Sequence, residues 1–450
     1  MEVSLMEMLD ARERRVQRQM ALLEQYRTTL LCFSMNIAGP VKNSPLIRRG
    51  FDMGRELLER QLRAAGIRIL HFSRSHEKTG NEAFYVLDCD PLAAKRAAVT
   101  VEDHTEAGRL YDMDVLRPDG SKVERQALNL EVRTCLICGG PARNCARSRA
   151  HSVEQLRRRT EELLESALVN YRSRQTARLA CQALLYEVAV TPKPGLVDRA
   201  NSGSHSDMDF FTFQASAAAL WPYFETCARI GAETKEHLPG QTFSRLRIPG
   251  MLAEGEMLHA TGGVNTHKGA IFSLGILCAA LGRLGWEYAD QPDRLLSECA
   301  RMTAGLVAAD FAGLTEETAR TAGQRLYLHH GITGVRGQAE AGFPAVGKVG
   351  LPKLEAALEK GLSLNDAGCA ALLAMLAEST DTNLISRSDV AAQQKIGRDT
   401  ALLLQAEPFP SEETLKRLDE EFIRRNLSPG GTADLLALTY FLHFAKEESQ

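Results

Sequence analysis

The chain changes its sequence pattern near residue 152, and this change constrains the fold more than any other feature. Before it, short runs rich in β-branched and aromatic residues alternate with helical patterns in the order αβαββαβ, which predicts an α/β sheet domain. After it, almost every segment has helical periodicity, and loops rich in glycine and proline separate the segments. The sequence therefore predicts an α+β protein of two domains, a sheet domain over 1–160 and an all-α domain over 165–450.

Apolar periodicity also places individual elements within each half. In the first half it predicts helices at 5–25, 51–65 and 91–99 and strands at 28–39, 67–72, 82–89 and 109–116. Ser152 and Gln155 form an S-x-x-Q signal for the start of a charged helix that runs to about residue 188. In the second half the pattern predicts helices over 210–230, 269–284, 294–309, 316–329, 366–376 and 433–444.

Charge balance and cysteine content exclude several classes of protein. The 450 residues carry 54 Lys and Arg against 57 Asp and Glu, and the net charge of −3 argues against a globally basic nucleic-acid binder. Ten cysteines are too few for a disulfide scaffold, and the charged N-terminus lacks the apolar core of a signal peptide. The longest apolar stretch, 270–281, is too short to cross a bilayer. We therefore expect a cytoplasmic protein without membrane or nucleic-acid partners.

A D-x-D pattern marks the last predicted strand of the first half. Side chains at i and i+2 of a strand share a face, so Asp112 and Asp114 would present two carboxylates side by side. Paired carboxylates are typical Mg²⁺ ligands at phosphoryl-transfer sites, and the preceding Arg109 would suit a phosphate. The alternative is a solvated edge strand that carries two surface acids.

Three cysteines and a histidine follow at C-x2-C-x6-C-x5-H spacing. Cys135, Cys138, Cys145 and His151 would make a tetrahedral structural zinc site. The first pair fits a zinc knuckle, whereas the remaining spacing is not standard. The alternative is a set of partly buried free cysteines in an arginine-rich loop.

Basic and amide side chains near these motifs are candidates for phosphate binding. Residues 133–159 contain seven arginines and no lysine, and Arg147 and Arg149 would suit a phosphate or an acidic protein. Asn36 and Lys42 lie in a loop after a predicted strand, where phosphate-binding groups often occur, although an ordinary polar turn explains them as well.

Three co-linear motifs of the first half together resemble one enzyme family. SMNIAGPVKNS, GRLYDMDVL and CLICGGPARNCARSRAHS are similar to the citrate lyase holo-acyl-carrier-protein synthase family, also called apo-citrate lyase phosphoribosyl-dephospho-CoA transferase. The resemblance implies a nucleotidyltransferase-like domain. In the implied reaction, a serine hydroxyl of the citrate lyase acyl carrier protein (gamma) subunit attacks the α-phosphate of 2'-(5''-triphosphoribosyl)-3'-dephospho-CoA and pyrophosphate leaves. Mg²⁺ would bind Asp112 and Asp114, and the arginines would face the triphosphate and the acidic carrier.

Five polar loops interrupt the apolar helices of the second half. They are TPKPGLVDRANSGSHSDMD, TGGVNTHKG, GITGVRGQAEAGFP, DTNLISR and SPGGTADLLA. Each has an ordinary interpretation, since Lys268 suits a helix start and Asp434 suits the first turn of a helix. Loops that converge at one end of a helical scaffold are nevertheless a usual way to build an active site.

The same loops resemble, in order, the triphosphoribosyl-dephospho-CoA synthase family. The resemblance implies that ATP and 3'-dephospho-CoA are substrates, that the 2'-OH of dephospho-CoA joins C1 of the ATP ribose, and that adenine leaves. Such a reaction needs phosphate-binding cations, a carboxylate near the anomeric carbon and acid–base groups. We expect phosphate contacts from Lys193, Arg199, Lys268 and Arg336, further substrate contacts from Asn265, Asn383 and Arg387, metal binding or base catalysis from Asp207, Asp209 and Asp381, and protonation of adenine by His267.

The sequence thus indicates a bifunctional enzyme that makes the citrate lyase prosthetic group and attaches it. The first alternative is the same chemistry in the service of malonate decarboxylase, which the citrate-lyase type of the first-half motifs disfavours. The second is a zinc-containing nucleic-acid-binding protein, which the net charge and the D-x-D strand disfavour.

Overall fold

A computed structural model describes residues 2–449, and the chain forms two compact units, Met1–Asn170 and Tyr171–Gln450. The first unit contains all the strands of the described chain, and the second is helical. The elements of the first unit are α1 (Leu5–Tyr26), β1 (Thr29–Met35), α2 (Pro45–Ala64), β2 (Arg68–Glu77), β3 (Gly80–Asp88), α3 (Pro91–His104), β4 (Tyr111–Leu116), α4 (Ala142–Ser148) and the first part of α5 (Val153–Ala189). Their order up to β4 agrees with the predicted αβαββαβ.

The four strands form one antiparallel sheet in the order β2-β3-β1-β4. Its strand pairs are all antiparallel, which makes this unit α+β, and β2 and β3 form a hairpin. One face packs on α2, where Phe33 stacks on Phe51 and meets the edge of Tyr111. The other face is partly covered by α1, whose Leu22 and Leu23 join an apolar cluster on β1 and β3. Beside this cluster the second face remains accessible.

The second unit continues α5 and adds fourteen further α-helices within the described residues. They are α6 (Phe210–Ala219), α7 (Trp221–Glu233), α8 (Pro239–Ala260), α9 (Lys268–Leu284), α10 (Pro292–Met302), α11 (Leu306–Asp310), α12 (Ala322–His330), α13 (Gly334–Glu340), α14 (Leu351–Glu359), α15 (Leu364–Glu378), α16 (Thr382–Arg387), α17 (Val390–Ala406), α18 (Glu412–Arg424) and α19 (Gly430–Ser449). A large apolar core holds them together, and α9 is buried along almost its whole length.

Several helix boundaries differ from the predicted ones. Helix α2 begins at Pro45 and not at residue 51, α12 begins at Ala322 and not at residue 316, and two further differences are internal breaks. The pattern at 210–230 forms two helices, because the chain restarts at α7 with Pro222 in the first turn. The pattern at 294–309 is also divided, since Gly305 adopts a left-handed conformation before α11. Apolar periodicity continues across both breaks, so it does not reveal them.

The start of α5 has the predicted capping contacts. Ser152 N–H donates to Gln155 Oε1 at 2.9 Å, and Gln155 N–H donates to Ser152 Oγ at 3.1 Å. These bonds satisfy two donors that an α-helix leaves free at its first turn. Among the described residues, the structure contains no helix that is both long and apolar enough to span a membrane.

Candidate active sites

Asp112 and Asp114 lie on the accessible face of the sheet in the first unit. In β4 they alternate with buried Tyr111, Met113 and Val115, as expected from strand geometry. Their partners across β1 are Ser34 and Cys32, and both carboxylates line a small pocket of about 20 Å³. The strand register therefore brings the two carboxylates together.

Neighbouring charges of both signs act on this pair of carboxylates. Burial, followed by the neighbouring Asp114 charge, raises the pKa of Asp112 above its usual range. Asp114 is paired with Lys122 at 2.5 Å, in the segment that returns beside β4. A divalent cation between the two carboxylates would relieve the repulsion and fits the oxygen donor set.

The other candidate residues of the first unit differ in how far their side chains are buried. Asn36 is exposed, and its N–H bonds Leu110 O at the end of β1. Lys42 Nζ donates to Ile37 O at 2.6 Å, which occupies part of its donor capacity. Arg109 is partly buried just before β4, and its Nε has no hydrogen-bond partner. Burial, followed by the charge of a neighbouring arginine, lowers the pKa of Arg109, as expected where an anion would be favoured.

The cysteines and the histidine predicted from their spacing do come together. The Sγ atoms of Cys135, Cys138 and Cys145 and one ring nitrogen of His151 all lie within 4.8 Å of one another. Arg147 belongs to α4 and Arg149 follows it, and both side chains are exposed. Their role in phosphate binding stays a prediction.

A cavity of about 480 Å³ lies among the helices of the second unit. The N-terminal residues of α9, α12 and α19 line it, and free N–H groups at helix N-termini favour anionic ligands. The cavity collects most of the predicted residues of this half. They are Lys193, Asp207, Asn265, His267, Lys268, Arg336, Asn383 and Arg387.

A buried ion pair forms part of the cavity wall. Lys193, 1% exposed, binds the Glu187 carboxylate through Nζ and also donates to Glu187 O at 2.7 Å. Burial raises the pKa of Glu187 despite this lysine. The loop that carries Lys193 is held by Asp198, whose carboxylate accepts from Lys193 N–H at 2.8 Å. Lys193 is thus fixed by its partners and does not extend freely toward a ligand.

His267 has one ring nitrogen with a hydrogen-bond partner and one without. Its Nδ1 lies 2.7 Å from Ser216 Oγ, which also accepts from Thr266 Oγ1 at 2.8 Å. Its Nε2 is a buried atom without a hydrogen-bond partner. Burial, followed by the Lys193 charge, lowers the pKa of His267 to about 3, so the free ring is neutral near pH 7.

Asp434 is the second buried acid of the cavity wall. Burial raises its pKa well above the usual range, and the charges of Glu187 and Asp381 add to the rise. Its carboxyl group lies over Gly269, where an added Cβ would be 2.0 Å from Oδ2, so a larger residue there would displace the Asp434 side chain. Asp434 thus lies at the N-terminus of α9, and its raised pKa favours the protonated form.

Three cationic side chains, those of Lys268, Arg336 and Arg387, line the accessible side of the cavity. Lys268, 56% exposed, pairs with Glu254 at 2.7 Å, and Arg336 Nε donates to Asp310 at 2.7 Å. Arg387 donates to Ser204 O at 2.8 Å and to His205 Nδ1 at 3.1 Å, which fixes its guanidinium. These contacts position the cations while leaving further donors available.

Three predicted residues do not line this cavity. Asp209 is exposed and caps α6, accepting from Thr212 N–H at 2.8 Å. Arg199 donates to Ala189 O and to Asn365. Asp381 caps α16, and its two oxygens accept four hydrogen bonds within 3.0 Å, two of them from Thr432. Asp209 and Asp381 therefore cap helices, and Arg199 links neighbouring segments.

Glu187 and Asp434 line the cavity, but neither of them is among the residues that the sequence assigns to the active site. Each is an isolated acid in an otherwise apolar stretch, YEVAV and ADLLA, and that isolation is the signal that the sequence offers. His205 and Ser216 likewise act by orienting Arg387 and His267, and sequence spacing does not reveal such contacts.

Comparisons with known proteins give one result for each unit. The family described as CitX, apo-citrate lyase phosphoribosyl-dephospho-CoA transferase, matches residues 3–167, and CitG, ATP:dephospho-CoA triphosphoribosyl transferase, matches 173–450. Protein CitXG of Haemophilus influenzae is 35% identical over 460 residues, covering 98% of this chain and 96% of its own. Protein CitXG of Leuconostoc mesenteroides subsp. cremoris is 34% identical over 455 residues, covering 98% and 97%.

Proposed function

We infer the chemistry of the two sites from the premise that this chain belongs to the CitX and CitG families and is a fusion of the two. It is a transferase of citrate lyase prosthetic-group synthesis. It makes 2'-(5''-triphosphoribosyl)-3'-dephospho-CoA from ATP and 3'-dephospho-CoA with release of adenine, then transfers phosphoribosyl-dephospho-CoA to apo-citrate lyase with release of pyrophosphate. We assign the transfer to a domain over 1–160, the synthesis to a domain over 165–450, and the acceptor serine to the acyl carrier (gamma) subunit.

The first domain, in this proposal, works as a nucleotidyltransferase with Mg²⁺ on Asp112 and Asp114. Mg²⁺ there would neutralise charge on the triphosphate as pyrophosphate leaves. The pairing of two carboxylates on one accessible sheet face supports this assignment. Arg109 suits the substrate phosphates because its partly buried guanidinium has an unpartnered Nε. The accessible face also admits a serine that arrives on another protein.

The second domain binds the triphosphate of ATP at the accessible side of its cavity. Lys268, Arg336 and Arg387 supply the cations, and the N-terminus of α9 adds its N–H groups. Asn265 and Asn383 line the same cavity and suit hydrogen bonds to the ribose or to phosphate oxygens. Asp381, with its oxygens occupied, positions α16 and α19.

The buried acids suit the substitution at the ribose anomeric carbon. The 2'-OH oxygen of dephospho-CoA bonds to C1, the bond from C1 to adenine breaks, the hydroxyl loses its proton and adenine gains one. We assign protonation of adenine to Asp434, because its raised pKa favours the protonated form, and hydrogen bonding through Nε2 to neutral His267. The Glu187 carboxylate would stabilise positive charge on the ribose, and Asp207 at the cavity edge is a candidate base.

The observation that carries the proposal for the second domain is a buried carboxyl with a raised pKa beside a buried imidazole with a lowered pKa, in one cavity lined by helix N-termini. Asp434→Asn should slow adenine release from ATP and dephospho-CoA by about 100-fold or more. In the parent protein this rate should fall as pH rises through the raised pKa of Asp434, and the variant should lack that fall. Asp399→Asn, on the exposed surface of α17, is the control. An unchanged rate and pH profile in Asp434→Asn would remove Asp434 from the mechanism.

Incubation with ATP, dephospho-CoA and the apo acyl carrier subunit tests the division between the domains. Adenine release and a mass increase of the carrier should both occur. A variant with altered Asp112 should retain the first product and lose the second. Adenine release without any carrier modification by the parent protein would contradict the role of the first domain.

A further inference from the structure

The segment between β4 and α5 is folded without an apolar core. Residues 124–151 include no buried residue, yet they form a short 3-10 helix, a turn and α4. The 3-10 helix and α4 bury no side chain. Apolar burial normally supplies the free energy that orders a segment of this length, and small regions that lack it use a metal ion or a disulfide instead.

Four potential ligands lie together within this segment. The three Sγ atoms and one His151 ring nitrogen are within 4.8 Å of each other, and the Sγ atoms of Cys138 and Cys145 are 3.4 Å apart. In a tetrahedral site with Zn–S bonds of 2.3 Å the sulfur atoms would be roughly 3.8 Å apart. The two sulfur atoms of a disulfide are about 2.05 Å apart, and a disulfide here would leave the third thiol and the imidazole without a role.

The backbone around Cys135 has the form of a knuckle that presents a sulfur to a metal. Ile137 N–H points to Cys135 Sγ at 3.5 Å, and Cys135 N–H donates to Gly140 O at 2.6 Å. Gly139 closes the turn with a left-handed φ of 73°. The turn therefore holds Cys135 and Cys138 on one side, facing Cys145 from α4.

A second and independent observation concerns His151. Its Nε2 is buried and has no hydrogen-bond partner, which is costly for a polar atom unless a ligand completes it. Three thiolates with one Zn²⁺ would carry a net charge of −1, and Arg143, Arg147 and Arg149 of the same segment would balance it. We propose that Cys135, Cys138, Cys145 and His151 bind one structural zinc ion that orders residues 124–151 and with them α4.

Zinc fits this donor set better than the other common metals. Three sulfurs and one imidazole nitrogen make a closed tetrahedral shell, which is the form of structural zinc sites and leaves no open position for catalysis. Mg²⁺ prefers oxygen ligands, so the carboxylates of β4 and the thiols of this segment would select different ions. The zinc ion is therefore distinct from the Mg²⁺ assigned to Asp112 and Asp114.

Metal analysis of the full chain is the direct test. Protein purified under reducing conditions should contain about one zinc ion per chain, whereas Cys145→Ser and His151→Ala should lose most of it. Cys89→Ser is the matched control, because Cys89 is a partly exposed thiol of the same unit outside the cluster. Replacement of zinc by Co²⁺ should produce thiolate-to-cobalt absorption in the parent and in the control.

The structural role has its own measurement. Chelation should raise the rate of tryptic cleavage after Arg143, Arg147 and Arg149 by at least about tenfold, and added Zn²⁺ should reverse the effect. Adenine release by the second unit should persist in the cluster variants, which shows that the chain is folded. Parent protein without zinc, stoichiometric iron in its place, or a disulfide between Cys138 and Cys145 in freshly reduced protein would each overturn the proposal.

Discussion

In the first unit the paired carboxylates line a small pocket on one face of a sheet, whereas in the second unit the charged groups line a large cavity among helices. The first pocket measures about 20 Å³ and the second about 480 Å³. The acceptor of the first reaction is a protein side chain, which an open face can receive. The second reaction develops positive charge on a ribose and joins two nucleotide substrates, which the larger cavity with its buried acids suits.

The strongest way to separate the two sites is to remove one carboxylate of the open face. Asp112→Asn should reduce carrier modification by about 100- to 1,000-fold, equivalent to the several kcal/mol that a metal contributes to phosphoryl chemistry. Adenine release should stay unchanged. Asp10→Asn, an exposed acid on α1, is the control. Equal carrier modification by Asp112→Asn and the parent would show that the D-x-D strand is only a solvated edge.

The ion pair between Lys193 and Glu187 is buried, so removal of one partner should lower the stability of the protein. Lys193→Met leaves the Glu187 carboxylate unpaired in the interior, and we expect a loss of about 3–5 kcal/mol in the free energy of unfolding, measured by denaturant titration. The double variant Glu187→Gln/Lys193→Met should recover most of it, since no buried charge remains. Lys416→Met, which breaks an exposed pair with Glu412, should change stability by less than about 1 kcal/mol. Equal losses in the two lysine variants would contradict the buried pair.

The lowered pKa of His267 predicts that the stability of the protein depends on pH. Its pKa is about 3 in the folded protein and 6.5 without the fold, so the unfolded state binds more protons between these values. Its contribution to stability is therefore present above pH 6.5 and declines as pH falls toward 3, by up to about 1.4 kcal/mol per pH unit. Thermal unfolding from pH 7 to 4 should show a shallower decline in His267→Asn. Parallel curves for variant and parent would contradict the depressed pKa.

The smallest effect is expected at the edge of the cavity. Lys268 is more than half exposed and already paired, so Lys268→Ala should raise the KM for ATP by roughly tenfold and change kcat little. Lys395→Ala, another exposed lysine paired with an acid, should leave KM unchanged. A large fall in kcat would mean that Lys268 contacts the reacting atoms.

Local patterns explain why the first site could be anticipated more fully. The position of Asp112 and Asp114 on one face follows from the two-residue period of a strand, which operates within a few residues. The knuckle at Cys135 is local in the same sense. The second site depends on the approach of distant segments, since Glu187 at the end of α5 and Asp434 in α19 line one cavity. Asp209 and Asp381 show the converse, because an acid before a helix is equally suited to capping and to catalysis.

The sequence by itself determined the division into a sheet half and a helical half, the order of the elements, the capping of α5 and the family motifs, because these depend on periodicity and short spacing. Only the tertiary structure decided which polar groups are buried together and in which protonation state. Burial and neighbouring charges lower the pKa of His267 and raise that of Asp434, and both effects depend on packing between segments far apart in the chain.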